Sequence, residues 1–259
     1  MLRSDQYADA SNLDARSAIY AYAEPRPSLH DVVVGLVPGG VTGRSVLDVG
    51  CGPGGYANAF AAAGCYVGVD LSEGMVAQAR ERNGVRDVGV VDAQRLPVRD
   101  DAFDVVLAMH MLYHVPDRAL AIDELARVVR DDGVVLAVTN APEHQAETRA
   151  VEVAAYEEVT GRSLPRKPVD ANFDLSNAPD ELARCFDVAV VPYGGVLTVP
   201  EAAPVVAYIN SARSFVGLDD DAAWAQFLDA AGRRIEKTIA TDGAFRITTS
   251  AGVLVCRPR

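Results

Sequence analysis

SVLDVGCGPGGYANAFAAAG, residues 45–64, is the stretch whose reading decides the fold. A β-branched apolar run, SVLDV (45–49), enters GCGPGG (50–55), and the chain leaves through YANAFAAAG (56–64), whose alanines favour a helix. Glycines at such a corner open left-handed backbone conformations and put no Cβ in the way. A strand, turn and helix of this composition therefore bring the main chain close to a ligand at a helix N-terminus.

On the C-terminal side, short apolar runs recur at YVGV (66–69), VGVV (88–91), DVVLAM (104–109) and VVLAV (134–138), with helical patterns between them. Leu120, Ile122, Leu125, Val128 and Val129 fall at helical spacing, and Asp131-Asp132-Gly133 reads as the stop after them. This alternation predicts an α/β fold, a doubly wound parallel sheet with helices on both faces. Further on, 143–161 reads as a helix, GRSLPRKP (161–168) as a loop and 179–186 as a short helix. VAVVPY (188–193) and FRITTSAGVLVC (245–256) are the last strand candidates, with a helical stretch at 201–241 between them; TTSAG (248–252) alternatively folds the second into a hairpin. The first ~40 residues carry a helical pattern through Leu13, Ile19 and 32–34.

The chain has 259 residues, 49% of them apolar, enough for one large core. A net charge of −12 without a sizeable basic cluster argues against a nucleic-acid partner. No apolar run reaches the ~20 residues a membrane span requires, and MLRSDQYADASNL lacks the layout of a signal peptide, so a cytoplasmic location is expected. Cys51, Cys65, Cys185 and Cys256 lie far apart and read as reduced, mostly buried thiols. No HExxH or paired-cysteine spacing is present, and no metal is expected.

Two ligands compete for the glycine turn. Gly50, Gly52 and Gly55 satisfy GxGxxG, and Asp70 follows about 20 residues on, as a ribose-binding acid does in dinucleotide sites. Asp48, at the mouth of the turn, discriminates between them. A pyrophosphate meets an unwelcome carboxylate there, whereas the ammonium and sulfonium of S-adenosylmethionine tolerate or prefer it.

VLDVGCGPGGYANAF (46–60), VGVDLSEGMVAQAR (67–80), VVDAQRLPVRDDAFDVVLAMHMLYHV (90–115) and DELARVVRDDGVVLAVTN (123–140) resemble successive motifs of the class I S-adenosylmethionine-dependent methyltransferases, in the UbiE/COQ5-like, methyltransferase domain 11 branch. The resemblance implies a Rossmann-like, mostly parallel seven-stranded sheet of order 3-2-1-4-5-7-6, its last strand antiparallel, under a helical cap or lid. It also implies that Asp48, Gly50 and Gly52 surround the methionine part and that Asp70 accepts from the ribose hydroxyls. Leu71 and Met75 would lie beside the adenine, Met75 equally suiting core filler. Asp92 and Ala93 would meet the adenine amine, and Met109 or His110 would line the methionine pocket. QYADASNLDARSAIYAYAEPR resembles the N-terminal cap of an actinobacterial-type branch, in which Tyr7 would close on the sulfonium and Arg16 would pair with the cofactor carboxylate. The division expected is a cap over 1–42 and a methyltransferase domain over 43–259, with lid insertions at about 140–175 and 196–244.

Methyl transfer from a sulfonium is an in-line displacement, so positioning and exclusion of water dominate. A base is needed only where the acceptor keeps its proton. His110 and His114 in MHMLYHV are the candidates, with His144 beside Asn140 a third, and packing is the competing role for each. Tyr156, Phe173, Tyr193, Tyr208, Phe215, Trp224 and Phe227 either wall an acceptor pocket or fill the core. Arg162, Arg166 and Lys167 form a basic patch that either holds an anionic acceptor or is a solvated loop. The expected activity is methyl transfer to a small, partly apolar metabolite such as a natural-product intermediate. The alternatives are an NAD(P)-dependent oxidoreductase and a non-catalytic S-adenosylmethionine-binding module.

Overall fold

The computed structural model of the protein describes residues 16–165 and 173–259. Among them, seven strands form a sheet: β1 (Ser45–Val49), β2 (Cys65–Asp70), β3 (Asp87–Val90), β4 (Phe103–Met109), β5 (Val129–Asn140), β6 (Phe186–Val199) and β7 (Phe245–Pro258). The order is β3-β2-β1-β4-β5-β7-β6, with β1 to β5 parallel and β7 antiparallel to β5 and β6, as expected.

The central strands are apolar on both sides because both sides are covered. Leu47, Val49, Val106 and Ala108 meet Ile122 and Leu125 of helix Arg118–Val128 and Leu182 of helix Ala178–Leu182. Val46, Val105 and Leu107 meet Phe60 and Val33, the latter on helix Leu29–Gly35. That helix starts in a reciprocal cap: the Ser28 hydroxyl accepts from Asp31 N–H at 3.1 Å, and the Asp31 carboxylate accepts from Ser28 N–H at 3.2 Å. Asp104 ties the start of β1 to β4 by accepting from Ser45 N–H (2.7 Å), the Ser45 hydroxyl (2.6 Å) and Arg130 Nη1 (2.7 Å).

β6 and β7 pair without interruption from Phe186–Pro258 to Val199–Phe245. β5 accompanies β7 only as far as Asn140, opposite Ala251, so the rest of the ribbon projects past the C-terminal edge of the sheet. Leu197, Val199, Phe245 and Ile247 on that projection carry a second core with Ile209, Trp224, Phe227 and Ile235 from helices Ala202–Asn210 and Asp221–Asp242. Helix Ala146–Thr160 contributes Ala155 and Tyr156, and the N-terminal segment contributes Ile19. Helices are thus held beyond the strand ends.

Several expectations are corrected. Residues 56–64 form a run of turns, closed mainly by three-residue bonds such as Ala57 N–H to Gly54 O and Ala63 N–H to Phe60 O. Gly52 and Gly54 sit at φ 55° and 82°, left-handed backbone that a right-handed helical turn does not contain, so no regular first turn forms there. β7 is continuous through 248–252, without a hairpin. The stop at 131–133 comes earlier, since helix Arg118–Val128 passes directly into β5. Of the free cysteines, Cys51 and Cys256 are buried, Cys185 is half-buried and Cys65 is exposed. Among the described residues no helix is long and apolar enough to cross a membrane.

Candidate active site

A cleft of about 2310 Å³ opens along the C-terminal ends of the strands and spans the point where the strand order reverses between β1 and β4. Open α/β sheets bind ligands at such a point. The cleft has an acidic end and a basic end.

The acidic end is built on β1, β2 and β3. Asp48 is 1% exposed; its Oδ2 accepts from Tyr66 OH at 2.5 Å, and its Oδ1 is buried without a partner among the described residues. Burial raises its pKa to about 7, with the Tyr66 bond opposing and the Asp70 charge assisting. Asp70, the last residue of β2, accepts from Gly52 N–H through Oδ2 and from Ser72 N–H through Oδ1, both at 2.9 Å. Burial raises its pKa against those bonds. Each Asp70 oxygen retains capacity for a second hydrogen bond. Asp92, just past β3, accepts from Gln94 N–H and Gln94 Nε2 at 2.9 Å. Leu71 stands 54% exposed and Met75 is 1% exposed, both bordering the cleft with Ala93 and Met109.

The amides of the turn are spent inside the protein. Gly50 and Cys51 N–H both donate to Val69 O, at 2.7 and 3.0 Å, and Gly52 N–H goes to Asp70. With no helix N-terminus following, this corner offers a phosphate neither a dipole nor these three donors, whereas the unpartnered Asp48 oxygen suits a cation.

Gly50 has φ 69°, and a Cβ there would stand 2.6 Å from Met111 Cβ. Gly50→Ala is expected to destabilise the protein by about 2–4 kcal/mol, from left-handed strain and overpacking. Chemical denaturation measures this; an unchanged midpoint would show that Met111 yields freely.

The basic end lies past β4 and β5. His110 follows β4 at φ 53°, its N–H donating to Val138 O at 3.0 Å, and Gln145 sits at φ 58°. Both border the cleft, and non-glycine residues held in left-handed backbone cluster at functional sites. His114 ends the short turn Leu112–His114, with the Tyr113 ring edge-on at 4.5 Å. Burial lowers both histidines to about 4. Charge on His144 and His114 adds to this at His110, and charge on Arg16 at His114. His144 Nδ1 lies 3.1 Å from Ser250 N and 3.0 Å from Ser250 O, and its Nε2 is 3.4 Å from Tyr20 OH. Arg16 stands 5.5 Å over the Phe215 ring, its Nε buried and without a partner among the described residues.

Thus Arg16, Asp48, Gly50, Gly52, Asp70, Leu71, Met75, Asp92, Ala93, Met109, His110 and His114 all border one cleft. Tyr7, Arg166 and Lys167 lie outside the described residues, and Arg162 is exposed and away from the cleft. Of the aromatics, Phe173, Tyr193, Tyr208 and Phe215 border it, while Tyr156, Trp224 and Phe227 are buried in the second core. Sequence reasoning missed Tyr66, Tyr20, Gln145 and Arg26. The signal for Tyr66 was available only through register, since Val46 pairs with Tyr66 and puts its ring on the same face as Asp48.

Residues 47–137 match the family model described as a methyltransferase domain. The 27-O-demethylrifamycin SV methyltransferase of Amycolatopsis mediterranei is 38% identical over 128 residues, covering 46% of each chain. The ubiquinone biosynthesis O-methyltransferase of Aromatoleum aromaticum is 36% identical over 151 residues, 56% of this chain and 62% of that one. The chain spans about half the length of the curated relatives it matches. Among solved structures, the YcgJ protein of Bacillus subtilis superposes with a TM-score of 0.55 at 19% identity, over 95% of this chain and 99% of that one. The [4+2]-cyclase SpnF gives 0.57 at 20%, over 98% and 95%. These structural likenesses establish the fold.

Proposed function

We propose that the chain is a class I, S-adenosylmethionine-dependent methyltransferase that binds S-adenosylmethionine in this cleft and methylates a small molecule in the cytoplasm, a reading supported by the match of residues 47–137 to a methyltransferase domain and by the methyltransferase names of its relatives. The carrying observation is the buried, unpartnered Asp48 Oδ1 beside a turn whose first amides are engaged internally. It favours a cationic ligand and disfavours the pyrophosphate that an NAD(P)-dependent oxidoreductase needs.

In this reading Asp48 holds the cofactor ammonium, with Gly50 and Gly52 leaving room beside it. Asp70 takes the ribose hydroxyls, Leu71 and Met75 flank the adenine, and Asp92 with Ala93 reads the adenine amine. Met109 lines the methionine pocket, and Arg16, with Tyr7 of the N-terminal segment, closes on the carboxylate and sulfonium. When bound, the cofactor supplies an electrophilic methyl group on sulfur. The chain's own contribution is to fix the acceptor in line, exclude water under the helices between β6 and β7, and accept a proton at His110 or His114. The rifamycin relative's name supports a natural-product metabolite as acceptor.

The test is incubation with donor labelled in the methyl group and a panel of phenolic, carboxylic and amine metabolites. Labelled product is expected. Tight cofactor binding without product across the panel would favour the binding-only module instead.

The histidines add a pH prediction. With folded pKa values of about 4, both are uncharged at neutral pH and take protons only below it. With donor and acceptor saturating, kcat is expected to stay level from about pH 8 to 5.5 and to fall below about pH 5. An acid limb centred near 6.5, the ordinary histidine value, would contradict the assignment.

A further inference from the structure

Arg26 borders the basic end of the cleft on a backbone laid against β6: Ala23 bridges Leu197 and Glu24 N–H donates to Val196 O at 3.4 Å. Its guanidinium lies 4.4 Å from the Tyr193 ring centre, and its Nη2 donates to Thr249 Oγ1 at 3.4 Å. A Cβ on Gly195 would stand 2.4 Å from Nη1, so the glycine leaves the space that the guanidinium fills. Nη1 is buried and has no hydrogen-bond partner among the described residues.

Three elements therefore hold a permanent cation in a fixed pose, and among the described residues no carboxylate forms an ion pair with it. Of the nearby acids, Glu147 accepts from the Thr248 hydroxyl at 2.6 Å and Glu143 from the Ser250 hydroxyl at 2.7 Å, while Glu24 borders the cleft without an ion pair to Arg26 among the described residues. In a chain of net charge −12, a buried guanidinium donor left unpaired on a ligand cleft is costly unless a ligand completes it.

Its place in the sheet separates it from the nucleoside side. Thr249 is on β7, four strands from Asp70 on β2, or roughly 19 Å at the usual strand spacing. Thr249 is next to Ser250, which holds His144, and close to the Asn140–Ala251 pair that ends β5. Phe173, Tyr193 and Phe215 give this end of the cleft flat apolar walls.

We propose that Arg26 binds a carboxylate of the methyl acceptor, which makes the acceptor a small organic anion with a flat apolar body. This rests on reading the cleft as a methyl-transfer site. It moves the anion-holding role from Arg162, Arg166 and Lys167 to Arg26, which is already stacked on Tyr193 and bonded to Thr249.

The experiment titrates 4-hydroxybenzoate and its methyl ester, by calorimetry or ligand-observed NMR, into wild type, Arg26→Gln and Arg26→Lys, each with and without S-adenosylhomocysteine. Wild type is expected to bind the acid at least about tenfold more tightly than the ester, the size of one charge-assisted pair. Arg26→Gln should abolish that preference while keeping wild-type affinity for S-adenosylhomocysteine and an ordinary melting transition. Arg26→Lys, which keeps the charge and loses the planar fork, should keep a reduced preference and serves if the glutamine variant does not fold. Equal binding of acid and ester to wild type, binding of neither, or an undiminished preference in Arg26→Gln overturns the proposal. Loss of S-adenosylhomocysteine affinity in Arg26→Gln also overturns it, by assigning the arginine to the cofactor. If S-adenosylhomocysteine fails to bind even wild type, the methyl-transfer reading fails, while the acid and ester titrations alone still decide the anion site.

Discussion

Asp48→Asn is expected to weaken binding of S-adenosylhomocysteine by about 3 kcal/mol, roughly a hundredfold, while making the free protein more stable at pH 8. The two effects have one cause. The Asp48 carboxyl is buried, with Oδ2 on Tyr66 and Oδ1 on nothing, and burial lifts its pKa from the ordinary 3.8 to about 7. A group whose folded pKa exceeds its unfolded one binds its proton more tightly in the folded state. Its contribution to stability is therefore full below the unfolded pKa and is lost as the pH rises through the folded one. Above pH 7 the ionised group costs the free protein on the order of 4 kcal/mol, and a neutral amide that still accepts from Tyr66 removes that cost. In the proposed site the ligand's ammonium offsets the same cost in wild type, so the variant loses the attraction together with the penalty. Melting curves at pH 8 and pH 5 should show a gain that shrinks at the lower pH. An asparagine variant with unchanged affinity would remove Asp48 from the cofactor site.

Asp70→Ala is the second large effect, and here both stability and affinity fall. In the proposed site alanine removes the acceptor for the ribose hydroxyls, and it also orphans Gly52 N–H and Ser72 N–H, which Asp70 holds at 2.9 Å. Loss of a charged acceptor gives about 1.5–3 kcal/mol in binding, and the released amides add about 1–3 kcal/mol of destabilisation to the turn. Adenosine separates the two carboxylates. It carries the ribose but no amino-acid part, so Asp70→Ala should weaken adenosine and S-adenosylhomocysteine together, whereas Asp48→Asn should spare adenosine. Equal losses of adenosine in both variants would mean that the turn had collapsed in each.

The parallel half of the fold was legible because buried parallel strands are written as apolar runs: SVLDV, YVGV, VGVV, DVVLAM and VVLAV all lie within β1 to β5 or, for VGVV, run one residue past β3. The glycine turn was legible because glycines serve few purposes at a strand end. The 56–64 segment was misread because its alanines favour a helix, while the Gly52-Pro53-Gly54 entry denies it a first turn. β6 was read six residues short at its C-terminal end, at Tyr193 instead of Val199. Pro192, Gly194 and Gly195 interrupt the apolar run there and read as breakers, although burial goes on alternating along the strand. Partners distant in sequence were not legible at all. Tyr66 reaches Asp48 through strand register, and Arg26 reaches Thr249 only because the ribbon runs past the sheet. The positions of His110 and Gln145 were visible as residues, but their left-handed backbone was not.

The most direct test is calorimetric titration of wild-type protein with S-adenosylhomocysteine and, separately, NADH, at pH 6 in two buffers of different ionisation enthalpy. The account predicts one S-adenosylhomocysteine per chain, release of about one proton as Asp48 ionises against the ammonium, and no NADH binding. Binding of NADH without binding of S-adenosylhomocysteine would contradict it.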